Sequence, residues 1–221
     1  MKMIFIVFLL ALIAQLSGYA DTLFVVNYDA NSVSIIDTTD DSTYATIDLT
    51  TPWPKYIAAR PQADYAFVTN FASEPYYLPW VPPGNDIADY IGDTVTVIDL
   101  STIPPSELTT IPNLGITSLA GPAGIDITSD GNRAYVTNAV DISVAVIDTN
   151  PSSSGFCTVI TKIDLQPYAV FAGPYGTVFD NPWSITINPA GTLAYVVCQD
   201  TSWSGGADDR VVVIDTNTNT V

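Results

Sequence analysis

The stretch AYVTN, residues 134–138, has close relatives at three other places in the chain. These are LFVVN at 23–27, AFVTN at 66–70 and AYVVC at 194–198. All four are short and rich in β-branched and aromatic residues, which is typical of a β-strand. Because the same stretch recurs along the chain, it indicates a repeated structural unit rather than a single site.

Two further stretches accompany this strand in a fixed order. A Val-Ile-Asp stretch follows it at 33–37, 95–99, 144–148 and 211–215. A segment that begins with proline precedes it at 54–64, 122–132 and 182–192. A stretch with a weaker strand pattern ends each repeat, as at 42–49 and 156–165. The pattern predicts a unit of four strands, A (proline-led), B (aromatic-Val), C (Val-Ile-Asp) and D.

The spacing and the hydrophobic pattern of the unit favour one architecture. The aromatic positions Phe24 and Phe67 are 43 residues apart, which matches one four-stranded blade of a β-propeller. Consecutive apolar residues, as in VVVI, indicate strands that are buried on both faces. A β-sandwich is the alternative, but its strands would alternate apolar and polar residues. The sequence therefore predicts an all-β chain folded as a β-propeller of four-stranded antiparallel blades.

About three and a half blades are predicted, the first with strands B to D and the last without its D strand. We expect a fragment of a seven-bladed ring, and a half-propeller that assembles with itself is the alternative. The predicted blades span about 21–49, 54–111, 122–165 and 182–221.

The motifs carry a resemblance to a known family. AYVTN followed by VAVIDT, with PAGIDITSDGN before it, resembles the YVTN family of β-propeller repeats, within the WD-repeat/YVTN-like, quinoprotein amine dehydrogenase β-chain-like superfamily. The resemblance covers 21–221 and implies an extracytoplasmic or cell-surface propeller. The chain has no histidine, so it departs from members with a histidine-ligated copper site. The resemblance thus implies a fold and not a catalytic activity.

The N-terminal segment has the layout of a secretory signal peptide over residues 1–20. Lys2 is followed by an apolar stretch at 3–16 and by small residues, Gly18 and Ala20, before Asp21. This apolar stretch is short for a membrane span, which needs about 20 residues. A retained membrane anchor is the alternative. We expect a secreted, periplasmic or cell-surface protein with no membrane span after cleavage.

The chain is strongly acidic, with 23 Asp and Glu against 6 Lys and Arg and a formal charge of −17. Such a surface repels nucleic acid and anionic lipid, so both are poor partner candidates. Almost all the acidic residues are aspartates, which favour turns. Turn capping is therefore predicted for the residues that recur at the ends of strands C and B: Asp37, Asp99, Asp148 and Asp215, and Asn27, Asn70 and Asn138.

The two cysteines are predicted to be unpaired and mostly buried. Cys157 lies near the start of a D strand and Cys198 at the end of a B strand. These ends lie on opposite faces of a propeller, too far apart for the geometry of a disulfide.

The predicted loops fall into two groups. A–B and C–D turns are short and lie on one face, whereas B–C loops and D–A connections lie on the other, which we call the loop-bearing face. The insertions on that face are 71–93, 111–121, 165–181 and 199–209. Their aromatic residues suit recognition of a protein or a carbohydrate, with a small core over the blades as the alternative. The candidates are Tyr76, Tyr77, Trp80, Tyr90, Tyr168, Phe171, Tyr175 and Trp203.

Weak candidates for Ca²⁺ ligands lie in the same loops: Asp86, Asp89, Asp93, Asp208 and Asp209. Their spacing matches no 12-residue calcium loop, which favours solvated acidic loops instead. No catalytic residue and no other cofactor is predicted, because without histidine the usual general base and most transition-metal sites are excluded.

The sequence favours an exported, non-catalytic scaffold that binds a protein or a ligand through the inserted loops. Two alternatives stay open. One is the propeller part of an extracytoplasmic enzyme, such as a lactonase-like hydrolase or a redox subunit, with its catalytic residues in a missing portion. The other is a structural component of a surface layer.

Overall fold

The computed structural model describes residues 12–16, 19–72, 91–116, 120–168, 170–173, 176–199 and 209–221. Every regular element among them is a β-strand, which confirms the all-β prediction. None of the described segments forms a helix with the length and apolar character needed to span a membrane. The strands are β1 (Leu12–Leu16), β2 (Tyr19–Asn27), β3 (Ser32–Asp37), β4 (Ser42–Asp48), β5 (Pro54–Ala59), β6 (Tyr65–Ala72), β7 (Ile91–Asp99), β8 (Ser106–Ile111), β9 (Pro122–Ile127), β10 (Arg133–Asn138), β11 (Ser143–Asp148), β12 (Thr158–Asp164), β13 (Val170–Gly173), β14 (Gly176–Phe179), β15 (Asn181–Ile187), β16 (Leu193–Gln199) and β17 (Arg210–Asp215).

The strands form successive antiparallel sheets in chain order, as expected for propeller blades. Blade one contains β1–β4, blade two β5–β8, blade three β9–β12 and blade four β15–β17. The pair β13 and β14 forms a separate hairpin between blades three and four. The first strands of neighbouring blades pack on one another, so they form the inner edge of the assembly. This arrangement confirms the predicted blades of four-stranded antiparallel type.

Blade one differs from the prediction, which started it at strand B. Leu12–Leu16 lies beside β2 as an inner strand, with Leu12 opposite Phe24 and Leu16 opposite Tyr19. The physical reason is that the edge of β2 offers unpaired backbone groups, and the segment just before it can fold back to bind them. This strand lies within the predicted signal peptide, and export of the chain stays a prediction.

Three apolar cores lie between the blades, and the repeated B strand contributes to each of them. Its aromatic side chain points toward the next blade, where it meets small and β-branched residues of that blade's B and C strands. Successive side chains of a strand point to opposite faces. The B strands of blades two and three therefore each contribute side chains to two cores. The B-strand aromatics in these cores are Phe24, Phe67 and Tyr135.

The recurrent aspartates cap the turns after strand C, which confirms the prediction for them. In each case the carboxylate accepts the backbone N–H two residues further on, which is the bond of an Asx-turn. The distances from backbone nitrogen to carboxylate oxygen are 2.8 Å for Thr39 and Asp37, 2.8 Å for Ser101 and Asp99, 3.0 Å for Asn150 and Asp148, and 2.8 Å for Asn217 and Asp215.

The recurrent asparagines act differently from the predicted capping. Each amide at the end of strand B donates across to hydroxyl groups of strand C. Asn70 donates to Thr94 and Thr96 at 2.9 Å, and Asn138 donates to Ser143 at 2.9 Å. Asn27 makes the equivalent bonds in blade one. The side chains therefore connect strands B and C within a blade, because the C-strand positions opposite them carry Ser or Thr.

On the face opposite the loops, arginines in or beside the A–B turn of one blade bond to a turn of the next blade. Arg60 is buried, and its Nε donates to the carbonyl oxygen of Gly131 at 2.8 Å. Arg133 donates in the same way to the carbonyl oxygen of Thr216 at 2.8 Å. Each carbonyl oxygen also accepts from a hydroxyl group, that of Thr149 at Gly131 and that of Tyr135 at Thr216, so the arginine is its second donor.

Both cysteines are free thiols, as predicted, with Cys198 buried and Cys157 half-buried. Burial, reinforced by the charge of Asp148, raises the pKa of Cys157 to about 11. Burial, with a smaller effect from Asp180, raises the pKa of Cys198 to about 12. Only the thiolate is nucleophilic, so both thiols are expected to be inert in the folded protein.

Thiol labelling at pH 8 checks this expectation. With pKa values near 11 and 12, the thiolate fractions are about one in a thousand and one in ten thousand, against roughly a quarter in an unfolded chain. We expect 5,5′-dithiobis(2-nitrobenzoate) to react with the folded protein at least about 100-fold more slowly than with the urea-unfolded protein. The Cys198→Ser variant isolates Cys157. Rapid labelling of two thiols in the folded state would contradict the prediction.

Candidate functional site

Most of the predicted binding aromatics lie outside the described residues: Tyr76, Tyr77, Trp80, Tyr90, Tyr175 and Trp203. Tyr168 is exposed in the turn after β12. Phe171 lies in β13, where it is paired with Val178 of β14. The connection 165–181, predicted as a loop, therefore contains a β-hairpin. The role of these aromatics in binding stays a prediction.

The described residues of the connection 111–121 are part of the core between blades two and three. Leu114 and Ala120 are fully buried. The backbone nitrogen of Leu114 donates to Asp93 at 2.9 Å, and its carbonyl oxygen accepts from the Asn138 amide at 2.9 Å. The ammonium of Lys162 donates to the carbonyl oxygen of Gly115. These bonds hold the connection against the blades, so it offers less binding surface than its length suggests.

Asp93, a weak calcium candidate, has a structural partner in this connection. Burial raises the pKa of its carboxyl group, while the backbone bonds from Gly115 and Leu114 and the charge of Lys162 act against that rise. Asp209 is exposed, and Asp86, Asp89 and Asp208 lie outside the described residues. Within the part of the chain that the structure describes, no three His, Cys, Asp or Glu residues are grouped to hold a metal ion. Binding of Ca²⁺ stays a prediction.

The loop-bearing face carries a cluster of one lysine and two aromatic rings at the inner edge of the blades. Lys55 lies at the start of β5, Phe71 near the end of β6 and Trp183 near the start of β15. The Lys55 Nζ lies 4.0 Å from the centroid of the Phe71 ring and 4.5 Å from that of Trp183. The two ring centroids are 5.3 Å apart. We call these three residues the inner-edge cluster.

Electrostatics accounts for the position of the lysine. The face of an aromatic ring carries negative charge density, which attracts an ammonium group within about 6 Å of the centroid. Lys55 satisfies this distance to two rings at once. Phe71 is buried, whereas Lys55 and Trp183 are half-buried. The ammonium is therefore held in one place at the edge of the solvent.

Small residues of blade three allow blades two and four to meet. Ala123 and Ala139 are fully buried beside Phe71 and Trp183. A side chain at Gly124 would meet the Trp183 carbonyl oxygen at 2.8 Å, so glycine is needed for β9 and β15 to approach. The Thr137 hydroxyl donates to the carbonyl oxygens of Gly124 at 3.3 Å and Trp183 at 3.4 Å. The cluster thus joins blades two and four across the small residues of blade three.

A backbone constraint lies next to the cluster. Trp53 has a φ of 63°, in the left-handed region that a bulky residue rarely adopts. Its N–H donates to Asn31 Oδ1 at 2.9 Å, and its carbonyl oxygen accepts the Phe71 N–H at 3.1 Å. These two bonds hold the entry into β5, and through it the position of Lys55.

Sequence reasoning missed this cluster, although one signal for it was present. Lys55, Ala123 and Trp183 each follow the proline that opens an A strand, at Pro54, Pro122 and Pro182. They are therefore equivalent positions of successive blades. An alignment of the repeats would have shown that a lysine, an alanine and a tryptophan occupy the same position of successive blades, at the inner edge.

The cluster provides binding chemistry. An ammonium group has three N–H donors, and the rings beside it add apolar surface. Lys55 is also one of only 6 basic residues in a chain of formal charge −17. The arrangement suits a ligand that presents oxygen acceptors, such as hydroxyl or carboxylate groups.

No protein-family model and no curated protein sequence matches the chain. Solved structures do match. Hydrazine synthase of Kuenenia stuttgartiensis is 21% identical with a TM-score of 0.63, over 93% of this chain and 46% of the other. Dihydro-heme d1 dehydrogenase NirN in complex with DHE is 13% identical with a TM-score of 0.55, over 90% of this chain and 34% of the other.

The chain spans less than half the length of either of these structures. At such low identity the likeness concerns the fold, and both neighbours match through β-propeller architecture. Together with the successive antiparallel sheets and the apolar cores between them, this likeness shows that the chain has the fold of a β-propeller.

Proposed function

We propose that this chain is an exported, non-catalytic propeller of the YVTN type that binds a carbohydrate or a protein partner on its loop-bearing face. The observation that carries the proposal is the inner-edge cluster, in which the Lys55 ammonium lies over the rings of Phe71 and Trp183. A rigid scaffold with elaborated loops on one face is the usual way in which such folds build a binding surface.

The position of the cluster supports a role in binding. The starts of the A strands and the ends of the B strands lie on the same face as the inserted connections, as their antiparallel pairing requires. The cluster therefore lies on the face where the inserted connections begin and end. A ligand held among those loops would meet a fixed donor at the inner edge.

Among ligand classes, a carbohydrate fits the chemistry of the cluster best. Sugars combine many oxygen acceptors with apolar ring faces, and these match an ammonium donor beside the half-buried ring of Trp183. The strong negative charge of the whole chain disfavours highly anionic polymers through long-range repulsion. Neutral or weakly acidic saccharides are therefore the first ligands to test.

An array of immobilised neutral and uronic-acid oligosaccharides tests the proposal, with the purified chain as the probe. We expect binding to a limited set of sugars, weakened about 10- to 100-fold in the Lys55→Met variant through loss of a charged hydrogen bond. Lys162→Met is the matched control, because it removes the same charge from a lysine that is bonded to Gly115 in another part of the chain.

Two results would contradict the carbohydrate proposal. One is that the chain binds none of the immobilised sugars with a millimolar or lower Kd. The other is that Lys55→Met and Lys162→Met weaken binding equally, since net charge and not the cluster would then control it. Thermal unfolding of both variants checks that each is folded at the assay temperature.

The names of the structural neighbours favour a second candidate function. Both are enzymes by name, a hydrazine synthase and a dihydro-heme d1 dehydrogenase. On this candidate the chain is the propeller part of an extracytoplasmic enzyme. A titration with hemin tests it: a saturable Soret shift at one haem per chain would favour the enzyme candidate, and unchanged free-hemin absorption would favour the scaffold.

A further inference from the structure

The A strands of blades two, three and four each contain a β-bulge directly after their proline. In β5 the pairing with β6 shifts between Pro54 and Ile57. Lys55 and Tyr56 therefore lie opposite a single residue, Thr69. Such a bulge adds one residue to a strand and changes the direction of the side chains beside it. Because Lys55 belongs to the inner-edge cluster, the bulge is part of what places this side chain.

The same irregularity recurs in the next two blades. In β9 it lies opposite Thr137, and its small residue Ala123 is buried beside the rings of the cluster. In β15 the added residue is Trp183. The bulges of β5 and β15 thus each contribute one side chain to the inner-edge cluster, Lys55 and Trp183.

Thr69 supplies hydrogen bonds to the bulge of β5. An extra residue in a strand leaves backbone groups without a partner in the sheet. The Thr69 hydroxyl accepts the Tyr56 N–H at 3.1 Å and donates to the Tyr56 carbonyl oxygen at 3.4 Å. Thr69 is fully buried, so these bonds are shielded from water. Its hydroxyl therefore fixes the backbone one residue after Lys55.

Thr137, the equivalent residue of blade three, contacts the other bulge that contributes to the cluster. Its hydroxyl lies 3.4 Å from the carbonyl oxygen of Trp183. Blade four has Val197 at the equivalent position, which carries no hydroxyl group. The bulge of β15 thus receives its hydroxyl from the neighbouring blade. The threonine of the repeated B strand therefore bonds to each of the two bulges that carry Lys55 and Trp183.

We infer that Thr69 is a positioning residue of the binding site, which acts by holding the bulge that places the Lys55 ammonium over two aromatic rings. The inference rests on the proposed function, because it assigns Thr69 a role in ligand binding at the inner-edge cluster. Tyr56 bonds directly to Thr69, and Lys55 is the residue before it, so a change in the bulge moves the start of the lysine side chain. Thr69 itself is fully buried and does not reach a ligand.

Nuclear magnetic resonance of isotope-labelled lysine tests the position of Lys55 without any ligand. The chain has three lysines, Lys2, Lys55 and Lys162, so Lys55→Met identifies the Lys55 signal. Ring currents shift protons above an aromatic ring to high field, and we expect the Lys55 Hε signals upfield of those of the other lysines. In Thr69→Val they should move toward the position of an exposed lysine. Thr69→Ser keeps the hydroxyl and should keep the wild-type signals.

Thr149→Val is the matched control. Thr149 is also fully buried, and its hydroxyl donates to a backbone carbonyl oxygen, that of Gly131, at 2.9 Å on the face opposite the loops. Removal of this hydroxyl should leave the Lys55 signals unchanged. Far-ultraviolet circular dichroism shows whether each variant is folded. Thr137→Val removes the hydroxyl beside Trp183, should also shift the Lys55 signals, and repeats the test if Thr69→Val is unfolded.

Ligand binding separates positioning from a general loss of structure. On the oligosaccharide array, Thr69→Val should weaken binding about 10- to 100-fold, as Lys55→Met does. The double variant should bind no more weakly than Lys55→Met alone, because both substitutions remove the same contact and their effects are not additive. Thr69→Ser and Thr149→Val should bind as the wild type does.

Three results would overturn the inference. They are wild-type Lys55 signals in folded Thr69→Val, an equal shift of these signals in Thr149→Val, and additive losses of affinity in the double variant. A chain that binds no sugar on the array contradicts the proposed function instead. The resonance comparison then still decides whether Thr69 places Lys55.

Discussion

Replacing Tyr135 with alanine is expected to lower the free energy of unfolding by about 3–5 kcal/mol, the range for deletion of a large buried side chain. Tyr135 is fully buried between blades three and four, in a cluster that includes Val146 and Ile214. Its hydroxyl group donates to the carbonyl oxygen of Thr216 at 3.1 Å or to the side-chain oxygen of Asn219 at 2.6 Å. The alanine variant leaves a cavity and removes these bonds together.

Tyr135→Phe separates the two contributions. Phenylalanine occupies the equivalent position in blades one and two, as Phe24 and Phe67, so the ring is expected to fit without repacking. Loss of the hydroxyl should lower the free energy of unfolding by about 1 kcal/mol, because one hydrogen bond is removed while the Thr216 carbonyl oxygen keeps Arg133 as a donor. Urea unfolding followed by fluorescence measures both variants.

The control for this pair is Tyr44→Ala, at a tyrosine that is 46% exposed. A change within about 0.5 kcal/mol is expected there. If Tyr135→Ala were no more destabilising than Tyr44→Ala, blades three and four would not share the core that the structure shows.

The second large effect is expected from Gly124→Val, which should lower the free energy of unfolding by about 3 kcal/mol, the upper end of the range for overpacking. A Cβ atom at Gly124 would lie 2.8 Å from the Trp183 carbonyl oxygen, 2.9 Å from Ser184 Cα and 3.1 Å from Ile185 N. All three atoms belong to the backbone of β15, so no change of rotamer relieves the clash. The inner strands β9 and β15 must separate instead.

Separation of these strands also displaces Trp183 from Phe71 and Lys55. We therefore expect a change in the near-ultraviolet circular dichroism of the folded Gly124→Val variant, besides its lower urea midpoint. Gly155→Val is the comparison, because the nearest atoms there are the ends of the Asp148 and Thr158 side chains at 3.0 and 3.4 Å. Equal stability of Gly124→Val and the wild type would show that the inner strands do not approach so closely.

The repeats of the sequence predicted the blades because their signals are local. AYVTN and VAVID contain the β-branched residues of strands buried on both faces, and Asp148 closes the following turn through a bond two residues away. Each of these features depends on residues close in the chain, so a single sequence displays them. The order of the strands in a blade, and the pairing of strands that are consecutive in the chain, follow from these local features.

Three features could not be predicted in this way. Leu12–Leu16 reads as part of a signal peptide, yet its backbone pairs with β2. The hairpin β13–β14 lies in a connection whose composition resembles a loop. The asparagines at the ends of strand B bond to hydroxyls of strand C rather than cap turns. In each case an available backbone or side-chain partner, and not local propensity, decides the outcome.

By itself, the sequence determined that this chain folds into repeated four-stranded blades, with aspartate-capped turns and a face that collects the inserted loops. Only the tertiary structure decided that Lys55, Phe71 and Trp183 meet, since these residues belong to two blades separated by a third. Their contact depends on the small side chains of Ala123 and Ala139 and on the close approach of β9 and β15 at Gly124. Packing between distant strands is set by the fit of whole blades, whereas strand and turn formation is set by neighbouring residues.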